Sequence, residues 1–174
     1  MRSVALHANC SSLLTAWLAK ETECDNLSTG QSVFIGLFDI RKAYDTVWQD
    51  GLFYKLFKLG MTGKAWRILR RFYNGFVCQI KFSGQLSSLF EAGQGIHQGA
   101  PCSLFMFAAF HDELIRRIKE MCVGVKLCKE ITTCPTFTDD MSIIALAKEG
   151  LQMMFDVAFK YSVQWHFEFS PTKC

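Results

Sequence analysis

The chain has 174 residues, half of them hydrophobic and a fifth charged, with a net charge of +3. That length and apolar content suit one domain with a sizeable core and exclude a disordered chain. So mild a basic balance also excludes the dense positive field of a histone-like binder, so affinity for nucleic acid has to be argued from particular sites.

In chain order, Leu6, Leu13, Leu14, Trp17 and Leu18 recur at helical spacing and predict a helix over Val4 to Lys20, followed by a polar loop over Glu21 to Gln31. Val33 to Phe38 is a short run of strand formers ending at Asp39, expected as a buried strand. Leu52, Phe53, Leu56 and Phe57 form one helical face that stops at Gly60, and a second helix is expected over Gly63 to Tyr73. Phe76 to Phe82 and Ser88 to Ala92 flank Ser83-Gly84-Gln85 and read as a hairpin, and the glycine-rich stretch Gly93 to Gly99 reads as a loop. Pro101 suits the first turn of a helix running to Lys119. Strands are expected over Val123 to Leu127, Ile131 to Phe137 and Met141 to Ala147, with Thr138-Asp139-Asp140 as a tight turn at a hairpin tip. A helix over Leu151 to Trp165 and a strand beginning at Phe167 to Phe169 complete the chain. Helices interleaved with a few strands predict an α+β fold, with helices packed on one face of a largely antiparallel sheet.

Charged and polar residues break every apolar run well before the ~18 residues of a membrane span, so no membrane partner is expected. His7, Asn9 and two serines interrupt the first apolar stretch, unlike a signal-peptide core, and an intracellular location is expected. The cysteines at 10, 24, 78, 102, 122, 128, 134 and 174 form no C-x-x-C pair and have no histidines at zinc spacing, so free thiols are expected.

Asp39 ends one strand and Asp139-Asp140 lies between two others, so folding can gather three carboxylates at one sheet edge. Such a cluster repels itself unless cations bind, and two divalent ions about 3.5–4 Å apart are what in-line phosphoryl transfer uses. The plainer alternative is an N-cap at Asp39 and an ordinary turn at Asp139-Asp140.

The neighbours of these residues form ordered motifs. Phe38-Asp39-Ile40-Arg41-Lys42-Ala43-Tyr44-Asp45-Thr46-Val47 resembles motif A of reverse transcriptases of the non-LTR (LINE-type) retrotransposon family. Gln94-Gly95-Ile96-His97-Gln98-Gly99-Ala100-Pro101-Cys102-Ser103 resembles motif B, Phe137-Thr138-Asp139-Asp140 motif C, and Trp165 to Lys173 motif D. Asp50 to Leu56 with Gly60 is similar to the family's linker helix, and the likeness covers roughly Ser11 to Cys174. The resemblance implies a polymerase palm over 33–174, the end of a partial fingers region over 1–32, and no thumb.

It further implies RNA-directed DNA polymerisation with two Mg2+ ions, for which Mn2+ is an alternative, on an RNA or DNA template with a DNA primer and dNTPs. By position, Asp39, Asp139 and Asp140 are the catalytic and metal-binding carboxylates, and Tyr44 is the steric gate beneath the nucleotide sugar. Gln98 and Gly99 face nucleotide and template, Pro101 the nucleic acid, and Lys173 the leaving pyrophosphate. Bland readings stand beside these: a core aromatic at Tyr44, a solvated lysine at Lys173, a loop residue at His97. Lys64, Arg67, Arg70 and Arg71 make a basic helix face, either solvated or set against phosphates.

Thr138, Ala100 and Cys102 depart from the commoner family residues, so a catalytically inactive retroelement remnant or a domesticated nucleic-acid-binding module is the rival reading. A metal-dependent phosphatase or nuclease is a third, but it gives no reason for Tyr44 and the glycine loop. The chain by itself is expected not to polymerise, because by resemblance the rest of the fingers and the thumb lie beyond it.

Overall fold

The computed structural model describes residues 20–21, 24, 30, 32–127, 130–137 and 140–171, and at 126, 127, 130, 131, 137 and 140 the backbone alone. The helix expected over Val4 to Lys20 lies outside these except for Lys20, which is helical.

Strand β1, Phe34–Asp39, alternates as a half-buried strand should: Gly36 and Phe38 face the core while Ile35 and Leu37 are exposed. Turns carry the chain into helix α1, Gln49–Lys58, which buries Leu52, Phe53 and Leu56. The end of α1 follows from Gly60, whose φ of 98° suits only a residue without a side chain. The Gly60 amide donates to the Phe57 carbonyl and the Met61 amide to that of Leu56, which closes the last turn as a Schellman motif. Helix α2, Gly63–Tyr73, is amphipathic and turns Trp66, Leu69 and Tyr73 inward.

The expected hairpin exists in two pieces. Strands β2 (Val77–Cys78), β3 (Lys81–Phe82), β4 (Gln85–Leu86) and β5 (Phe90–Glu91) pair as β2 with β5 and β3 with β4. Only Ser83 and Gly84 form the turn, both at positive φ (48° and 81°), and Gln85 is already paired with Phe82. Two such residues match the right-handed twist of the flanking strands. Between the paired segments two residues face three, so a bulge at 87–89 breaks the second strand, whose expected span Ser88 to Ala92 shrinks to β5.

Helix α3, Ser103–Glu120, starts two residues later than Pro101 suggests, because Ala100 to Ser103 forms a hydrogen-bonded turn in which both the amide and the hydroxyl of Ser103 donate to the Ala100 carbonyl. It buries Met106, Phe107, Phe110, Leu114 and Ile118, each contributing about 1.5–3 kcal/mol of apolar transfer.

Strands β6 (Val125–Leu127) and β7 (Glu130–Thr132) form a hairpin, β8 is Thr136–Phe137 and β9 is Asp140–Ala145. The strand expected over Ile131 to Phe137 is thus divided at Pro135, which has no N–H to give to a ladder. Pairing nonetheless continues on the acceptor side, because the carbonyls of Thr133 and Pro135 receive the amides of Ile144 and Ser142. Helix α4, Lys148–Gln164, closes the core, and the last expected strand is a single bridge, Ile40 to Phe169.

The main sheet has the order β1-β9-β8, antiparallel throughout, as expected for the fold. Helix α4 packs on β1 and β9, and α3 packs on both α1 and α4. Gly36 leaves room for α4 to approach the sheet, since a Cβ there would stand 2.9 Å from the Phe155 ring and push it aside. The other face of the sheet leaves Leu37 58% exposed.

Candidate active site

Residue Asp39 is the last of β1 and Asp140 the first of β9, and they are register partners at one end of the sheet. Two carboxylate residues distant in sequence therefore stand on neighbouring strands, about 4.8 Å apart in the backbone direction of pairing. The backbone around Asp39 is fastened on its other side, where its carbonyl accepts the Ser170 amide at 2.7 Å and the Arg41 amide donates to the Glu168 carbonyl at 2.9 Å. Thr138, Asp139, the side chain of Asp140 and Lys173 lie outside the described residues. Among the described residues no group of three metal-ligating side chains occurs. Phe137 pairs with Asp140 at the same end of the sheet.

Five residues beyond Asp39, Tyr44 lies in a turn rather than on a helix, half-buried, with its ring stacked on Phe107 of α3 at 5.0 Å. The glycine loop is laced to this turn by backbone: the Ile96 amide donates to the Tyr44 carbonyl at 2.8 Å and the Gly95 amide to that of Val47 at 2.9 Å. The Gln49 amide bonds the carbonyls of Ala92 and Gly95, and that of Gln94 bonds Thr46. Gly95 permits this contact, since at φ 88° a Cβ would meet the Asp45 carbonyl oxygen at 3.0 Å. Its glycine character thus serves close approach to the chain's own backbone. Gly99, at φ 81°, has open space around it, and Gln98, Gly99 and Pro101 are all exposed.

Two residues that sequence reasoning passed over support this arrangement. His97, read as a plain loop residue, rests in an aromatic cage of Phe72, Tyr73 and Phe76, with its amide donating to the Tyr73 hydroxyl at 3.3 Å. Lys55 of α1 is buried, donates to the Phe110 carbonyl at 2.5 Å and to the Tyr161 hydroxyl, and lies over the rings of Phe110, Tyr161 and Trp165. Burial pushes its ammonium down to about 7. The ring faces attract a cation and act against that shift. His111 is buried beside it, and burial first, then the charge of Lys55, lowers it to about 3. The helical periodicity of α1 gives no sign that Lys55 turns inward, because its partners come from α3 and α4.

The described cysteines, Cys24, Cys78, Cys102, Cys122 and Cys134, are free thiols as expected, and burial raises that of Cys134 to about 11. No described helix is long and apolar enough to cross a membrane.

An antiparallel sheet backed by helices, with acidic residues at one paired end and a glycine loop fastened beside them, is a polymerase palm-like fold. The same fold is found in telomerase structures: that of Candida tropicalis in complex with a fragment of telomeric RNA superposes with a TM-score of 0.70 at 13% identity, over 95% of this chain and 29% of that one. The Candida albicans telomerase superposes at 0.69 with 14% identity, over 94% and 31%. Residues 6–174 match the family described as reverse transcriptase (RNA-dependent DNA polymerase), and the chain belongs to that family. Its curated relatives include the retrovirus-related Pol polyprotein from the type-2 retrotransposable element R2DM of Drosophila melanogaster, 25% identical over 83% of this chain. The RNA-directed DNA polymerase from the mobile element jockey of the same fly is 22% identical over 80% of it. The chain spans 14% and 16% of the length of these two relatives.

Proposed function

We propose that this chain is the catalytic palm of an RNA-directed DNA polymerase, which transfers a deoxynucleotide from its triphosphate to a primer 3′-hydroxyl. The observation that carries the reading is the register pairing of Asp39 with Asp140, the residue that follows Asp139 in the sequence. Asp39, Asp139 and Asp140 hold two Mg2+ ions, which when bound supply activation of the attacking hydroxyl and charge neutralisation at the leaving pyrophosphate. Tyr44 bars a 2′-hydroxyl from the sugar position, and its stacking on Phe107 supports this role because a ring so held does not step aside. Gln98 and Gly99 line the path of nucleotide and template, Pro101 that of the template, and Lys173 gives a proton to the pyrophosphate.

Primer extension on an RNA template with Mg2+, by the open reading frame that contains this chain, tests the proposal. Asp39→Asn and Asp139→Asn remove a charge at constant volume, and each is expected to lower extension on the order of 10³-fold, the equivalent of about 4 kcal/mol of transition-state stabilisation. Extension by either variant at the parent rate sinks the metal-site assignment.

A further inference from the structure

Helix α2 carries more positive charge than its own stability explains. Arg70 and Arg71 in its last turn suit the helix dipole, but Lys64 and Arg67 stand toward its N-terminal end, where the dipole disfavours cations, and its first turn has no acidic residue. Asp50 engages Arg70 at 2.9 Å. Lys64, Arg67 and Arg71 have no ion pair or hydrogen-bond partner among the described residues, and all three are exposed. A groove of about 210 Å³ runs along this side of the helix, lined by Trp66, Arg67, Arg70, Arg71 and Asn74. Arg67 and Arg71 are about one turn apart, roughly 6 Å along the axis, which is comparable with the spacing of successive phosphates on an extended strand.

The Trp66 indole lines this groove and is fixed from below by its N–H bond to the Phe53 carbonyl. Guanidinium groups beside flat apolar surface suit a strand whose bases are unpaired and free to stack, whereas a duplex hides its base faces. The helix is also joined to the glycine loop, since Tyr73 at its end receives the His97 amide.

We infer that the α2 groove docks the sugar-phosphate backbone of an unpaired RNA strand, Arg67 and Arg71 taking successive phosphates while the Trp66 indole of the same groove supports a base. The identification of that strand as template rests on the polymerase reading above; the docking itself does not. Fluorescence anisotropy of an end-labelled single-stranded RNA with the purified chain, at low salt and without divalent ions, tests it. The double variant Arg67→Ala/Arg71→Ala is expected to bind at least tenfold more weakly. Its dependence of log K on log salt should be shallower by about 1.4, at about 0.7 for each phosphate of a single strand that is no longer neutralised. Lys64→Gln should lower the slope by about 0.7 if its ammonium joins the same strand. Binding is read without divalent ions and without extension, so failure of the catalytic assignment and failure of this one are read separately. Parent-like affinity and salt slope in the double variant overturn the inference, as does tighter binding of duplex DNA than of the RNA strand.

Discussion

Lys55 shows how one buried cation sets the response of this fold to pH. Its folded pKa, about 7, lies below the unfolded 10.5, so between those values the unfolded chain binds the extra proton and stability rises with pH. His111 acts in the same direction lower down, because its value of about 3 against 6.5 makes stability fall as pH falls through that window. Tyr161 is raised, chiefly by burial, and opposes the gain only above about pH 10. Thermal unfolding followed from pH 5 to 9 should therefore show a Tm that climbs throughout. In Lys55→Met the climb above pH 7 should flatten while that below it persists; an unchanged profile contradicts the assignment. The variant should fold, because the Tyr161 hydroxyl still donates to the Phe110 carbonyl and no buried polar group is orphaned. Tyr44→Val makes a different residue-level test: extension should continue, with ribonucleotide incorporation rising at least tenfold, and unchanged sugar selectivity counts against the gate.

At the scale of elements, the lacing of the glycine loop to the turn after β1 predicts unequal costs for two similar substitutions. Gly95→Ala meets fixed backbone as well as an unfavourable φ and should cost about 1–3 kcal/mol, a Tm drop of roughly 5 °C, whereas Gly99→Ala meets only the φ penalty and should cost about 1 kcal/mol. Equal losses measured by calorimetry would show that the loop is not held as described. Elements whose cause is local were legible in the sequence: β1 from its apolar run, the stop of α1 from Gly60, the turn of the hairpin from Gly84. The bulge at 87–89, the division at Pro135 and the single bridge at Phe169 depend on which partner strand arrives, and no local pattern encodes that. The candidate site divides in the same way. Asp39, Asp140 and Tyr44 are proposed from ordered motifs, while Lys55 and His97 take their character from rings on other elements. The bonds of Lys55 reach 55 and 106 positions along the chain.

For the whole molecule, the proposal is that a palm alone is insufficient. The relatives in which this fold is matched are several times longer, and a net charge of +3 gives little general hold on a phosphate backbone. The isolated 174-residue chain should bind primer-template weakly and in a salt-sensitive way, with no processive extension on a gel; long products from it would mean that the catalytic unit is smaller than proposed. The pairing of β1 with β9 has a final consequence, for how damage spreads. The ladder that ends at Asp39 and Asp140 also aligns Phe38, Met141, Ile143 and Ala145 in the core, and a slip of one residue would turn each strand's apolar set to the opposite face. Misalignment at the acidic end is therefore not available as a small, graded defect. Mutations that loosen the core should act as a threshold, reducing the fraction of molecules that function while each survivor retains its full turnover.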